Sequence, residues 1–418
     1  MSRRADRIER APSPKERRRP SAAIGRGSAV AIFHGRMATV FPRTLTPPKR
    51  ESFFLLGPRG TGKSTWALDA FPDALRVDLL DYALYAELLA DPTRLEALAA
   101  GAGATTVVID EVQRLPLLLD EVHRLIEKRR WRFVLTGSSA RKLRRGGVNL
   151  LAGRARTLAM HPLTATELGG AFDLARSLRF GNLPTVHVAS DPEDYLRSYV
   201  GTYLREEVQA EALTRSLETF SRFLVAASFS QAGVLSISEI AREVGIARKT
   251  VESHFQLLED LLLAVRLPVF TRRAKRAMTA HPKFYFFDAG VYRAIRPRGP
   301  LDPVEAIDGA GLETLVMQEL RATNENLALG YALHFWRTRD HHEVDFVLYG
   351  ERGLVAIEVK RSARYREADL ATLRLFRGDY PSARCFLFYG GSRSYDVDGI
   401  RVLPLSVALP ALPELLGA

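Results

Sequence analysis

With 418 residues the chain is too long for one ordinary core, and two or three domains are expected. Apolar residues make up 46% and charged residues 26%, which excludes a disordered or fibrous chain, and no apolar run approaches the roughly 18 residues that span a bilayer. The lone Cys385 rules out an internal disulfide, no histidine spacing suggests structural zinc, and a cytoplasmic protein without membrane contact is expected.

The net charge of +12 is unevenly placed. Residues 1–50 hold 13 Lys/Arg against 3 Asp/Glu, so nearly all the excess lies in a Pro-, Ser- and Arg-rich stretch. Residues 1–38 therefore read as a basic, disordered tail. Two origins stay open: an upstream start, with Met37 the natural beginning of the fold, or a basic arm that attracts nucleic acid without sequence choice.

The first element in chain order is an apolar strand, "SFFLL", running into "GPRGTGKST". Gly57, Gly60 and Gly62 let the backbone wrap closely enough to aim its N–H groups at phosphate oxygens. Thr61 and Thr65 join these glycines as candidate nucleotide-binding residues, Lys63 supplies a point charge to the β- and γ-phosphates, and Ser64 offers a hydroxyl to Mg²⁺. After a second strand, "LRVDLLD", comes "TTVVIDEVQRLP", a buried parallel-strand pattern ending in two acids. Asp110 falls where Mg²⁺ is ordered, and Glu111 is suited to polarising an attacking water. A further strand, "WRFVLTGSSARKL", places Thr136 or Ser138 near the γ-phosphate. Arg154 and Arg156 follow as candidates for a phosphate-sensing arginine, in cis or from a neighbouring subunit of a homo-oligomer. The alternation of strands and helices predicts an α/β fold with a parallel sheet.

"GPRGTGKST", "VVIDEVQRLP", "FVLTGSSARKL" and "LAGRARTLAMHPLTATEL" together resemble the successive motifs of a prokaryotic AAA-type, P-loop ATPase family whose members continue into a domain of unknown function. The resemblance implies an ATP- and Mg²⁺-binding domain over residues 39–170. It implies ATP and Mg²⁺ roles for Lys63, Ser64, Asp110 and Glu111, and makes Arg154 the arginine finger. Gly60-Thr61 departs from the Gln-Val that such relatives often carry.

Residues 171–300 read as a helical and winged-helix region. "FGNLPTV" is a turn expected to act as a hinge, and Asp191-Pro192 starts a helix. Tyr195, Tyr199 and Tyr203, four residues apart, read as packing. In "LSISEIAREVGIARKTVESHFQLLEDLLL" Ser238 caps one helix, Gly245 permits a tight turn, and a second helix follows, a helix-turn-helix near 236–263. Arg248 and Lys249 begin that second helix, where a DNA reader meets base edges; a structural or partner role is the alternative. "TRRAKRAMTAHPK" adds Arg272, Arg273, Lys275, Arg276 and Lys283 as a basic segment suited to a phosphate-contacting wing.

Residues 301–418 carry a predicted hairpin, "HEVDFVLYGERGLVAIEVK", with its turn at Glu351–Arg352. That register puts Asp345 opposite Glu358 and Glu343 opposite Lys360 on one face, with Val344, Phe346 and Leu348 on the other. Opposed carboxylates repel unless a cation sits between them, so a second Mg²⁺ or Mn²⁺ at Asp345 and Glu358 is expected. The hairpin, the preceding "GAGLETLVMQELRAT" and the following "READLATLRLF" and "ARCFLFYGG" resemble the PD-(D/E)XK nuclease fold. By that resemblance Asp345 and Glu358 bind metal, Glu313 supports them and Lys360 assists hydrolysis. A charged outer hairpin face that merely blocks aggregation is the competing reading.

Overall fold

The computed structural model describes residues 29–33, 36–139, 151, 154–204 and 216–417. Residues 1–28 of the expected basic tail lie outside these. Within the described part of that segment, β1 (Ala29–Phe33) and β2 (Arg36–Val40) pair antiparallel, in keeping with their β-branched and aromatic content.

Strands whose central residues are apolar on both sides need cover on both faces, and the central strands of the N-terminal sheet have it. It consists of β3 (Ser52–Leu56), β4 (Leu75–Asp78), β5 (Thr106–Asp110), β6 (Arg132–Gly137) and β7 (Ala155–Ala159), all parallel, in the order β4-β5-β6-β3-β7. Phe54, Ile109, Phe133 and Leu135 pack on one face with the helices α1 (Lys63–Ala70) excepted: α2 (Tyr82–Ala90), α3 (Arg94–Gly101) and α4 (Leu118–Arg129). Phe53, Leu55, Val108 and Val134 pack on the other against Trp66 of α1. The glycine-rich loop leaves the C-terminal end of β3, flanked by β6 and β7.

A short helix α5 (Ala165–Leu168), closed by a Thr164–Glu167 capping box, leads into the middle region. There α6 (Leu174–Phe180), α7 (Pro184–Val188) and α8 (Pro192–Ser198) precede α9 (Leu217–Phe229). Helices α10 (Ile237–Val244) and α11 (Arg248–Asp260) are joined at Gly245, whose φ of 74° is the left-handed turn expected of it. The first of these begins after Ser236, so Ser238 lies inside the helix instead of capping it. Strands β8 (Ala264–Leu267) and β9 (Lys283–Phe286) pair antiparallel behind the two helices. The expected hinge at 180–186 is pinned. Asn182 and Leu183 are fully buried, the Asn182 N–H donates to Asp288 at 2.9 Å, and a Cβ on Gly290 would strike the Phe180 carbonyl. A turn held this tightly cannot serve as a loose joint.

After α12 (Ala289–Ile295) and the long α13 (Val304–Asn326) come β10 (Ala332–Arg337), β11 (Glu343–Gly350), β12 (Gly353–Lys360), β13 (Arg384–Tyr389), β14 (Tyr395–Val397) and β15 (Ile400–Pro404), with α14 (Ala371–Asp379) between β12 and β13. They form one mixed sheet ordered β10-β11-β12-β13-β15-β14. The hairpin has the expected register from Gly350↔Gly353 to Phe346↔Ile357, but the expected Asp345–Glu358 and Glu343–Lys360 pairs lie beyond the paired stretch, and Glu343 pairs with Lys283 and Arg337 instead of Lys360. A bulge lies on its other flank, where β11 meets β10 between His334 and Trp336. There two residues of β11 oppose Phe335 alone, which breaks the alternation. Val344 consequently joins Val347 and Ala356 in one layer, while Phe346 and Leu348 pack in the other, so the expected grouping of Val344 with those two fails.

Candidate functional site

Gly60 and Gly62 have φ of 83° and 88°, which a side chain would resist, and a Cβ on Gly57 would run into the Met160 carbonyl. Gly62 caps α1, so the positive end of that helix opens into the loop. Lys63 is 5% exposed, and its ammonium donates to the carbonyls of Gly57 at 2.9 Å and Pro58 at 3.1 Å. Those are neutral acceptors that a phosphate outcompetes. Thr61 is buried, its hydroxyl bound to the Pro58 carbonyl at 2.8 Å.

Ser64 Oγ donates to Asp110 Oδ1 at 2.9 Å, joining the first residue pair that could order Mg²⁺. Arg76 approaches the other Asp110 oxygen at 3.6 Å. Thr136 is fully buried. Its hydroxyl donates to Asp110 and accepts the Glu111 N–H at 3.2 Å, so it positions the two acids instead of reaching for a γ-phosphate. Glu111 sits at φ 57°, a conformation disfavoured for its type, and its carboxylate accepts from Gln113, which also donates to Ser138 at 3.0 Å.

Arg154 does not reach this site within one chain. Ser52 pairs with Ala155 and Leu56 with Ala159, so Arg154 stands at the N-terminal edge of the sheet while the glycine-rich loop leaves the C-terminal edge. About five residues of strand, each rising about 3.3 Å, separate them. Arg154 pairs with Glu127, and Arg156 with Glu51 at 2.8 Å.

Several residues at the loop carry no motif in the sequence. Tyr199 donates its hydroxyl to the Arg59 carbonyl at 2.9 Å, and the Arg59 guanidinium lies 4.3 Å over the Tyr203 ring. The tyrosine stripe is packing, as expected, but it packs on the loop. Arg43 donates to the Thr61 carbonyl and pairs with Glu167 at 2.9 Å. Burial lowers the pKa of its guanidinium, with Glu167 opposing. Glu167 also accepts from Thr44 N at 2.8 Å and from Asn326 at 3.4 Å. Beside the loop, Phe41, Arg43, Thr65, Trp66 and Pro184 line a pocket of about 140 Å³.

A second cluster forms in the C-terminal sheet. Asp345 is 6% exposed at the bulge and accepts the Val359 N–H at 2.9 Å; Glu358 is 5% exposed. Lys360 pairs with Glu358 at 2.5 Å, and one Glu358 oxygen is buried without a hydrogen-bond partner. Burial, then the Asp345 charge, pushes the Glu358 carboxyl well above its ordinary range; burial also holds Glu313 up at about 7. Lys283 lies among these acids, at 3.2 Å from Glu313, 2.5 Å from Glu343 and 3.5 Å from Asp345. It is 1% exposed, not part of a solvated wing. Burial works against its charge, yet Tyr285 and the carboxylates hold its pKa well above the ordinary value. Among the described residues no three His, Cys, Asp or Glu side chains gather as a metal site.

The remaining basic candidates divide. Arg248 and Lys249 are exposed at the start of α11. Arg272 stacks 4.8 Å over Tyr349, and Arg276 pairs with Asp379 at 2.6 Å, so this segment lies along the C-terminal sheet; Arg273 is exposed there.

The parallel sheet, the glycine-rich loop and the Ser64–Asp110 pair have a counterpart among known families. Residues 49–169 match an AAA domain family. Residues 171–302 and 308–408 match two further families, each described as a domain of unknown function (DUF8612 and DUF4143). No curated protein matches the chain. An AAA domain goes with ATP binding and ATPase-type chemistry, and no described helix is long and apolar enough to cross a membrane.

Proposed function

We propose that the chain hydrolyses ATP at the loop 57–65 and transmits the nucleotide state to its C-terminal domain. The observation that carries the first half is the Ser64–Asp110 hydrogen bond of 2.9 Å beside a buried Lys63. A hydroxyl and a carboxylate so joined are the donor set for Mg²⁺, which when bound supplies charge neutralisation at the phosphates. Lys63 turns from the Gly57 and Pro58 carbonyls to the β- and γ-phosphates. Glu111, held by Gln113, orients the attacking water and takes up its proton. The base enters the pocket edged by Phe41, Thr65 and Pro184.

Transmission runs through Arg43, which touches both Thr61 in the loop and Glu167, and through Glu167 to Asn326 at the end of α13. The same helix carries Glu313 of the acidic cluster, about 20 Å away at about 1.5 Å per residue. A rigid helix thus links the two sites. The decisive experiment is phosphate release by wild type, Lys63→Ala and Arg43→Ala, with and without DNA. Loss of turnover in Lys63→Ala is expected, about 10²-fold or more. Full activity in Lys63→Ala ends the proposal. Arg43→Ala that keeps turnover but loses stimulation by DNA supports the coupling.

The unpartnered oxygen of Glu358 favours a second reading, in which Asp345 and Glu358 hold Mg²⁺ or Mn²⁺ and Lys360 assists phosphodiester hydrolysis. The Lys283 ammonium stands against it, since it already lies within ion-pair distance of Glu313, Glu343 and Asp345, where a metal would compete with it. Exposed Arg248 and Lys249 would bring DNA to the chain. Cleavage of labelled DNA or RNA that Lys360→Ala abolishes would establish this reading; no cleavage with either metal leaves a nucleotide-controlled switch.

A further inference from the structure

Residues of α6, α8 and α12 and of the segment that follows α12 line a pocket of about 240 Å³ that shares no lining residue with the glycine-rich loop. Five arginines line it, Arg179, Arg197, Arg293, Arg296 and Arg298, against one carboxylate, Glu193. Like charges gathered in a concavity repel one another, and the described structure neutralises them only in part. Arg179 approaches Glu193 at 3.5 Å, Arg293 pairs with Asp308 at 2.7 Å and Arg296 with Asp302 at 2.9 Å. Arg197 is exposed and has no acidic partner among the described residues; Arg298 donates to the Arg293 carbonyl at 3.2 Å, a neutral group.

Two of the arginines are held in place. Arg293 is paired through Nη1 with Asp308, and its Nε is buried with no hydrogen-bond partner among the described residues. Arg296 is held rigid meanwhile, its guanidinium 3.6 Å over the Phe229 ring and its side chain 10% exposed. Rigid, partly desolvated guanidinium forks match oxyanions with two or more acceptor oxygens, and an excess of positive charge selects a multiply charged one. The volume falls short of the roughly 300–1,000 Å³ of drug-sized sites and suits a phosphate head.

We infer that this pocket binds a phosphate-bearing ligand at a site separate from the glycine-rich loop. The inference is independent of ATP hydrolysis. It has two sources of the same chemistry, a small phosphorylated molecule or the backbone of a nucleic acid.

The test uses the full chain carrying Lys63→Ala, so that the loop does not take up the probe, titrated by calorimetry with pyrophosphate and with a short single-stranded oligonucleotide. Should that chain not fold, wild type saturated with ADP replaces it. Each titration is repeated with Arg197→Ala and with Arg298→Ala, whose melting temperatures establish that they fold. The expected result is binding of at least one probe, weakened roughly tenfold by each substitution. Pyrophosphate alone identifies a small ligand, and oligonucleotide binding with the same dependence identifies a nucleic-acid backbone. Binding of neither probe, or binding indifferent to both arginines, overturns the inference.

Discussion

The glycine-rich loop and the acidic cluster of the C-terminal sheet each engage a buried lysine, and the hydrogen bonds and ion pairs of the two lysines differ. Lys63 rests on the carbonyls of Gly57 and Pro58, while Lys283 rests on Glu313, Glu343 and Asp345. A lysine on neutral acceptors can exchange them for a phosphate at little loss. A lysine on three acids is held by charge, and removing it leaves buried anions uncompensated. The first arrangement suits turnover, the second suits a latch.

The largest effect that would test this contrast is expected at Glu111. Glu111→Gln should reduce ATP turnover by about 10²–10⁴-fold while leaving nucleotide affinity in place. Single-turnover phosphate release beside a nucleotide-binding titration checks it. A variant with unchanged turnover would show that the conformation at Glu111, with φ 57°, serves only to turn the chain after β5.

Next in size is Lys283→Met. Removing one partner of a buried ion cluster typically costs about 3–5 kcal/mol. Denaturant unfolding should show a loss of that order, partly recovered in millimolar Ca²⁺ or Mg²⁺ as the freed acids bind a divalent ion. A loss that no cation reduces would mean that the cluster cannot accept a metal even when vacated.

Acid–base linkage sharpens the same point. Glu313 has its pKa raised to about 7 in the folded chain, chiefly by burial and then by Asp345. The folded state therefore holds a proton that the unfolded state releases. This contribution is complete below about pH 4.5 and is lost as pH rises through about 7, worth at most about 3 kcal/mol. Asp288, raised by burial to about 6, and Glu358 act in the same direction. Melting temperature should thus fall between pH 4.5 and 7, and Glu313→Gln should flatten part of that decline.

What was legible in the sequence follows the same division. The loop 57–65 and Asp110-Glu111 are contiguous runs whose chemistry depends on local backbone geometry, so spacing alone located them. The hairpin register was legible too, because Gly350 and Gly353 fix its turn. Lys283 was not, since a buried lysine at the start of an apolar strand looks like the end of a basic run until the fold brings α13 and β11 to it. Arg43 was hidden for the same reason: its partners Thr61 and Glu167 lie 18 and 124 residues away. The bulge that moves Val344 to the other layer depends on pairing with β10, which hairpin symmetry cannot reveal.

The smallest expected effect concerns Arg154, and it separates the chain from its assemblies. Arg154 stands at the sheet edge away from the loop and pairs with Glu127 on the surface, so it contributes nothing to chemistry in the same chain. Arg154→Ala should leave the melting temperature and the turnover of dilute protein unchanged. If a neighbouring copy presents this arginine to the nucleotide, specific ATPase activity rises with protein concentration in wild type and stays flat in Arg154→Ala. Equal concentration dependence in both would remove Arg154 from the reaction altogether and leave Arg59, which lies in the loop itself over Tyr203, as the next arginine to substitute.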